Sequence, residues 1–171
     1  VSSLNSAGYF LYESAAKSEP QDRQNKLLIE YAAVLEAKTL CIITGGISNG
    51  TWTLETARAK IQRSLSILAE IAYQSGVRLG LEPIHPIDVR TKGCISTITS
   101  ALDLTNVIPN LGLIIDLFHS WWDPDLISTL TTNIKKISLI QFCNIIELDP
   151  HSKPYRETPL SGDADVGFIL R

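Results

Sequence analysis

Four short apolar stretches, each closed by a polar residue or a glycine pair, constrain the fold of this chain more than anything else in it. They are Thr39-Leu-Cys-Ile-Ile-Thr44 before Gly45-Gly46, Val77-Arg-Leu-Gly-Leu-Glu82 before Pro83, Leu111-Gly-Leu-Ile-Ile-Asp116, and Lys136-Ile-Ser-Leu-Ile-Gln141. Runs of this length without polar alternation suit strands covered on both faces, which is the signature of a parallel sheet between helices. A strand buried on both faces has no use for a charge, so Glu82 and Asp116 belong where their strands emerge. In α/β folds the carboxyl ends of strands are where ligands bind.

The segments between these strands read as helices. Leu27, Leu28, Tyr31, Ala32 and Leu35 space one helical face between about Pro20 and Lys38. Thr53 is an expected N-cap with Glu55 in the first turn, and Ile61, Leu65, Leu68 and Ile71 stripe a helix that Gly76 ends. A third helical pattern runs from Cys94 to Val107 and stops near Pro109-Asn110. Asp123-Pro124 reads as an N-cap and first helical position, opening a helix to about Asn133. The order is βαβαβαβ.

Such alternation forms either a (β/α)8 TIM barrel or an open doubly wound sheet. An open sheet concentrates its chemistry at one switch point and usually carries a glycine-rich phosphate turn, whereas a barrel gathers single residues from successive strand ends. No GxGxxG occurs here and successive strands each contribute one polar residue, so the barrel is expected. A barrel needs about 250 residues. With 171 residues and four clear strands plus a remnant at Val1 to Leu4, the expectation is a single α/β domain over residues 1–171 that is part of a barrel, about strands 2 to 6, truncated at both ends. The opening on Val1, with no Met in the chain, and the close on Gly167-Phe-Ile-Leu-Arg171 agree with that expectation. Open strand edges in such a piece favour self-association, so a homo-oligomer is allowed.

Composition narrows the partners. A net charge of −3 and no basic run argue against nucleic acid or an anionic membrane surface, leaving small polar substrates. No apolar run approaches the roughly 20 residues of a membrane helix, and no signal-like sequence opens the chain, so a cytoplasmic location is the expectation. Cys41, Cys94 and Cys143 form no CxxC pair and are expected to be buried, reduced and inert.

Three strand ends carrying Glu82, Asp116 and Gln141 offer three oxygen ligands to one divalent cation, and oxygen suits Mg²⁺ or Mn²⁺. His119 follows Asp116 closely enough to share the site. His85 and Asp88 follow Glu82 and line the same mouth or serve the turn beside Pro86, and Trp121 and Trp122 wall the pocket or anchor a loop. Gln141, taken alone, reads more simply as satisfying buried backbone groups. Arg156, in a Pro-, Lys- and Glu-rich stretch, is as readily a solvated arginine, and His151 is expected to be merely exposed.

The run Leu81-Glu82-Pro83-Ile-His85-Pro86, then Asp116-Leu-Phe-His119-Ser-Trp121-Trp122-Asp123-Pro124, then Gln141-Phe-Cys143-Asn144, and Tyr155-Arg156 ahead of Ser161-Gly162-Asp163, resembles the sugar phosphate isomerase/epimerase family of xylose-isomerase-like TIM barrels. The resemblance spans nearly the whole chain, and the D-x-x-H-x-W-W-D-P run is its most specific part. It implies that Glu82 and Asp116 bind one divalent metal, with Gln141 at a third ligand position where many members have His. It places a fourth ligand, a Glu, beyond Arg171. It also implies that His119 and Arg156 contact substrate oxygens. Asn144 departs from the acidic residue of the family.

That implied chemistry fits the residue types. Moving a carbonyl or inverting a carbinol requires removing a proton next to a carbonyl, and a hard cation stabilises the resulting enediolate. Glu82 would accept the proton, and His119 and Arg156, with His85 and Trp121 at the mouth, would hold the sugar. The expected function is a divalent-metal-dependent isomerase or epimerase of a sugar, sugar phosphate or related keto acid. The alternatives are a dehydratase of the same superfamily or a non-catalytic sugar-binding barrel. Endonuclease IV, a zinc enzyme of the superfamily, needs more His ligands than the three present.

Overall fold

A computed structural model describes residues 1–146 and 153–169. Five parallel strands, β1 (Leu4–Gly8), β2 (Thr39–Ile43), β3 (Arg78–Leu81), β4 (Leu111–Asp116) and β5 (Ile137–Gln141), pair in the order β1-β2-β3-β4-β5. Each strand lies beside the next in sequence, with no reversal of order. That is the winding of a barrel wall; a doubly wound sheet reverses its strand order at a switch point. The expected remnant at Val1 to Leu4 is instead a full strand beginning at Leu4.

Side-chain parity divides the sheet into two faces. Leu40, Ile42, Leu79, Leu81, Leu113 and Ile115 join the large core beneath the helices, while Cys41, Ile43, Ile84 and Ile114 form a smaller inner core with Tyr9 and Leu139. The inner face is tight low in the sheet, where a Cβ on Gly80 would lie 2.7 Å from the Ile114 side chain. It turns polar at the top: Glu82 follows β3, and Asp116 pairs in register with Gln141.

Three long helices cover the outer face. The first, α1 (Ala15–Val34), starts a turn earlier than Pro20 because Ser14 caps it, and Pro20 lies inside. It ends short of Lys38. Its expected stripe is also rotated: Asn25, Ile29 and Ala32 are the buried residues, while Leu27, Tyr31 and Leu35 are exposed. Asn25 explains the rotation. Its Nδ2 donates to the Gly8 carbonyl and its Oδ1 accepts from the Gly8 N–H, both at 2.9 Å, so a buried amide ties α1 to the end of β1.

The second, α2 (Leu54–Gln74), has the expected Thr53 cap, reinforced by Thr56 in a capping box, and buries Ile61, Leu65 and Leu68. The third, α3 (Ile98–Val107), starts four residues after Cys94, behind the Thr97 cap. A one-turn helix, α4 (Leu117–Ser120), follows β4 directly, and α5 (Leu126–Thr132) begins later than Pro124. Asp123 does not cap α5 through a first-turn bond. Its Oδ2 accepts from Ile98 N of α3 at 2.8 Å, and its Oδ1 accepts from Asp125 N.

Arg156 does not lie in a loop. The chain after β5 forms an antiparallel hairpin of β6 (Asn144–Ile146) and β7 (Tyr155–Glu157), followed by a short α6 (Val166–Ile169). Asn144 anchors it, accepting from Ala164 N and donating to the carbonyls of Ala164 and Pro159. His151 lies outside the described residues. No helix among the described residues is long and apolar enough to cross a membrane.

Candidate metal centre

Asp116 ends a fully buried strand, and the backbone then turns at once into α4. Its Oδ1 accepts from Phe118 N at 2.9 Å, so the carboxylate caps the helix that follows it. One helical turn later, His119 returns to the face of Asp116, which is what the D-x-x-H spacing does on a helix. Glu82 emerges from β3, fixed by its N–H to Ile42 O and followed by Pro83. Ligating atoms of Glu82, Asp116 and His119 lie within 4.8 Å of one another, and all three residues are buried.

His119 is oriented from both ends. Its Nδ1 accepts from the backbone N–H of His85 at 3.3 Å, and its carbonyl accepts from Trp122 Nε1 at 2.9 Å. An Nδ1 that accepts a hydrogen bond carries no proton, so in the neutral ring the proton is on Nε2. Nε2 points toward Glu82, with Oε1 3.8 Å away. This tautomer makes His119 a proton-bearing donor toward the centre, whereas a metal ligand would need a bare Nε2. Burial lowers its pKa to about 4, against the pull of Asp116, so the ring is neutral near pH 7.

Glu82 is shaped from below. Cys41, on the inner face of β2, donates its thiol to Glu82 Oε2 at 3.0 Å. Burial raises the Glu82 carboxyl above the usual carboxylate range, with the Cys41 bond opposing that rise. Burial and the Glu82 charge push the Cys41 thiol far up, so it stays a thiol and a donor. The expectation of a buried, reduced and inert Cys41 did not include this contact. Its strand parity with Ile43, on the inner face below Glu82, was the available signal.

Arg156 reaches the centre from β7. It donates to both oxygens of Asp116, NH2 to Oδ2 at 2.6 Å and NH1 to Oδ1 at 3.0 Å, and its guanidinium lies 4.5 Å over the Phe118 ring. NH1 also lies 3.4 Å from Cys143 Sγ, so Cys143 is half-buried beside the site while Cys41 and Cys94 are fully buried.

The remaining expected residues divide. Gln141 stands beside Asp116 in register, at the same strand-end level. His85 uses Nδ1 to accept from Ile87 N in its own turn and sets its ring edge-on to Trp122 at 5.5 Å. Asp88 pairs with Lys153 at 2.5 Å. Trp121 lines a groove with Leu126, Ile127 and Ile169 on the α5–α6 side, and Trp122 is the indole beside His85.

The donor set fits a hard divalent cation: two buried carboxylates close together, an amide oxygen at the adjoining strand end, and an imidazole whose bare nitrogen is already used.

Comparison with known proteins places this geometry in context. Residues 3–171 match the family model of the xylose isomerase-like TIM barrel. Protein SMc04130 from Sinorhizobium meliloti 1021 superposes with a TM-score of 0.89 at 28% identity, over 99% of this chain and 63% of that one. The IolI protein with a bound zinc atom gives 0.78 at 20% identity, over 98% and 60%. The 3-keto-D-glucoside 4-epimerase YcjR from E. coli gives 0.70 at 18% identity, over 98% and 64%. The chain thus spans about three fifths of the length of these structures, and the latter two likenesses concern the fold alone. No curated protein matches the sequence.

Proposed function

The chain belongs to the xylose isomerase-like TIM barrel family, and from that membership we propose that it acts in a divalent-metal-dependent isomerase or epimerase of a sugar, sugar phosphate or related keto acid. The observation that carries this reading is the convergence of Glu82, Asp116 and His119 within 4.8 Å at the carboxyl ends of adjacent strands, all buried. The zinc atom of IolI and the epimerase activity named for YcjR support it by likeness of fold.

In this reading Glu82, Asp116 and Gln141 hold the metal through oxygen, with Mg²⁺ or Mn²⁺ the expected occupants. When bound, the cation would stabilise negative charge developing on substrate oxygens next to the reacting carbon. Glu82 takes the proton from that carbon, standing as a buried carboxylate at the mouth. Cys41 holds one Glu82 oxygen, which orients the other toward the mouth. His119, neutral with its proton on Nε2, donates to a substrate oxygen. His85 and Trp122 bound the same mouth. Residues 1–171 would supply this half of the site within one barrel domain.

The test is conversion of a panel of ketoses, ketose phosphates and keto sugars followed by NMR, with Mn²⁺ or Mg²⁺ present and then removed by chelator. Interconversion of at least one pair that stops on chelation supports the assignment. Loss of water from a substrate would move it to a lyase, and binding without turnover to a sugar-binding barrel.

A further inference from the structure

We propose that Arg156 is a built-in competitor for the metal: its guanidinium holds the place of the cation at Asp116 in the metal-free chain and thereby sets metal affinity. The inference rests on the reading of Asp116 as a metal ligand.

Asp116 is wholly buried, and a carboxylate in that position needs compensation by hydrogen bonds or a counter-charge. Among the described residues that compensation comes from three N–H donors, with the Cys143 thiol a longer fourth contact 3.8 Å from Oδ1. Phe118 N takes Oδ1, and Arg156 takes Oδ1 and Oδ2 together in a bidentate fork. The fork is held in turn. Phe118 lies under the guanidinium, Cys143 Sγ lies beside NH1, and the backbone of Arg156 pairs with buried Ile145 across the hairpin.

A second cation ties the same stretch of chain to the mouth, since Lys153 pairs with Asp88 in the turn after Glu82. Arg156 and Lys153 thus bring two positive charges onto carboxylates on either side of the centre. A dication arriving at Asp116 meets a guanidinium already on both oxygens, so binding requires the fork to open or both positive charges to share one carboxylate. Either way the guanidinium opposes the metal, and by reciprocity the metal loosens the guanidinium. Arginine stays charged at any ordinary pH, so the competition does not depend on protonation.

Two measurements on the full protein test this. In calorimetric titration with Mn²⁺, Arg156→Gln should bind at least about tenfold more tightly than wild type. Arg156→Lys, which keeps a charge but cannot form the fork, should fall between. Separately, in the unmodified protein, Mn²⁺ should speed phenylglyoxal modification of Arg156, located by mass spectrometry, while exposed Arg23 reacts at an unchanged rate and serves as internal control. Equal or weaker Mn²⁺ binding by both variants, or an Arg156 reactivity indifferent to bound Mn²⁺, would overturn the competitor role and leave the metal site standing. If neither wild type nor variant binds Mn²⁺, the metal reading falls with it.

Discussion

At the scale of single residues, the centre is set by what each polar group is forbidden to do. His119 cannot offer a bare Nε2 while the His85 N–H occupies Nδ1, and Cys41 cannot ionise beneath Glu82. Two predictions belong here. Cys41→Val removes the donor to Glu82 Oε2, and loss of one such buried contact should destabilise the metal-free chain by about 1–3 kcal/mol, while Cys41→Ser restores a donor and most of the loss; urea unfolding reads both. The second concerns pH. The unfolded His119 takes a proton near 6.5 and the folded one only near 4, so its contribution to stability is complete above 6.5 and disappears as pH falls toward 4. Glu82 works the other way, its raised folded pKa contributing at low pH and fading as pH rises through that value. His119→Asn should therefore flatten the acid-side loss of stability between pH 6.5 and 4, by at most about 3 kcal/mol, in urea midpoints measured across that range without metal.

At the scale of elements, single side chains from distant sequence fix where helices begin and how they face the sheet. Asp123 on the α4–α5 connection accepts from the first N–H of α3, so Asp123→Ala should cost about 1–2 kcal/mol, more than an exposed cap, and fray α3 first in hydrogen exchange. Asn25→Leu should be comparably costly, because it strands both backbone groups of Gly8. These contacts also explain what sequence reading could reach. The strand ends at Glu82, Asp116 and Gln141 were legible because a charge or amide closing an apolar run has few other places to be. The Thr53 cap was legible because all its partners are local. The start of α3 was not, since Asp123 supports it from 25 residues away. The stripe of α1 misled because its buried face holds an asparagine where periodicity looks for apolar residues. The β6–β7 hairpin has no alternation to announce it, so the residues around Arg156 left a solvated arginine as open as a site role, and only the family resemblance pointed to the centre where it lies on buried Asp116.

At the scale of the whole molecule, sequential parallel strands form an arc whose carboxyl ends share one mouth, and that geometry sets residues 116 and 141 side by side in register with residue 82 at the end of the neighbouring strand. The order leaves β1 and β5 each paired on one side only among the described residues. Unpaired edges are templates for further pairing, so the 171-residue chain should show concentration-dependent association in sedimentation velocity; a monodisperse monomer at all concentrations would argue against exposed edges. In the proposed function the arc delivers a base, a proton donor and an oxygen-rich cation site to one face, and Glu82 moves a proton at carbon there. Deuterium wash-in from solvent, at the carbon next to the carbonyl of a substrate that the metal-loaded protein turns over, measures that step. Wild type should incorporate deuterium, and Glu82→Gln should slow incorporation by about two to four orders of magnitude, the contribution of a positioned base. Incorporation by Glu82→Gln at the wild-type rate, or turnover with no deuterium entering at that carbon, would contradict it.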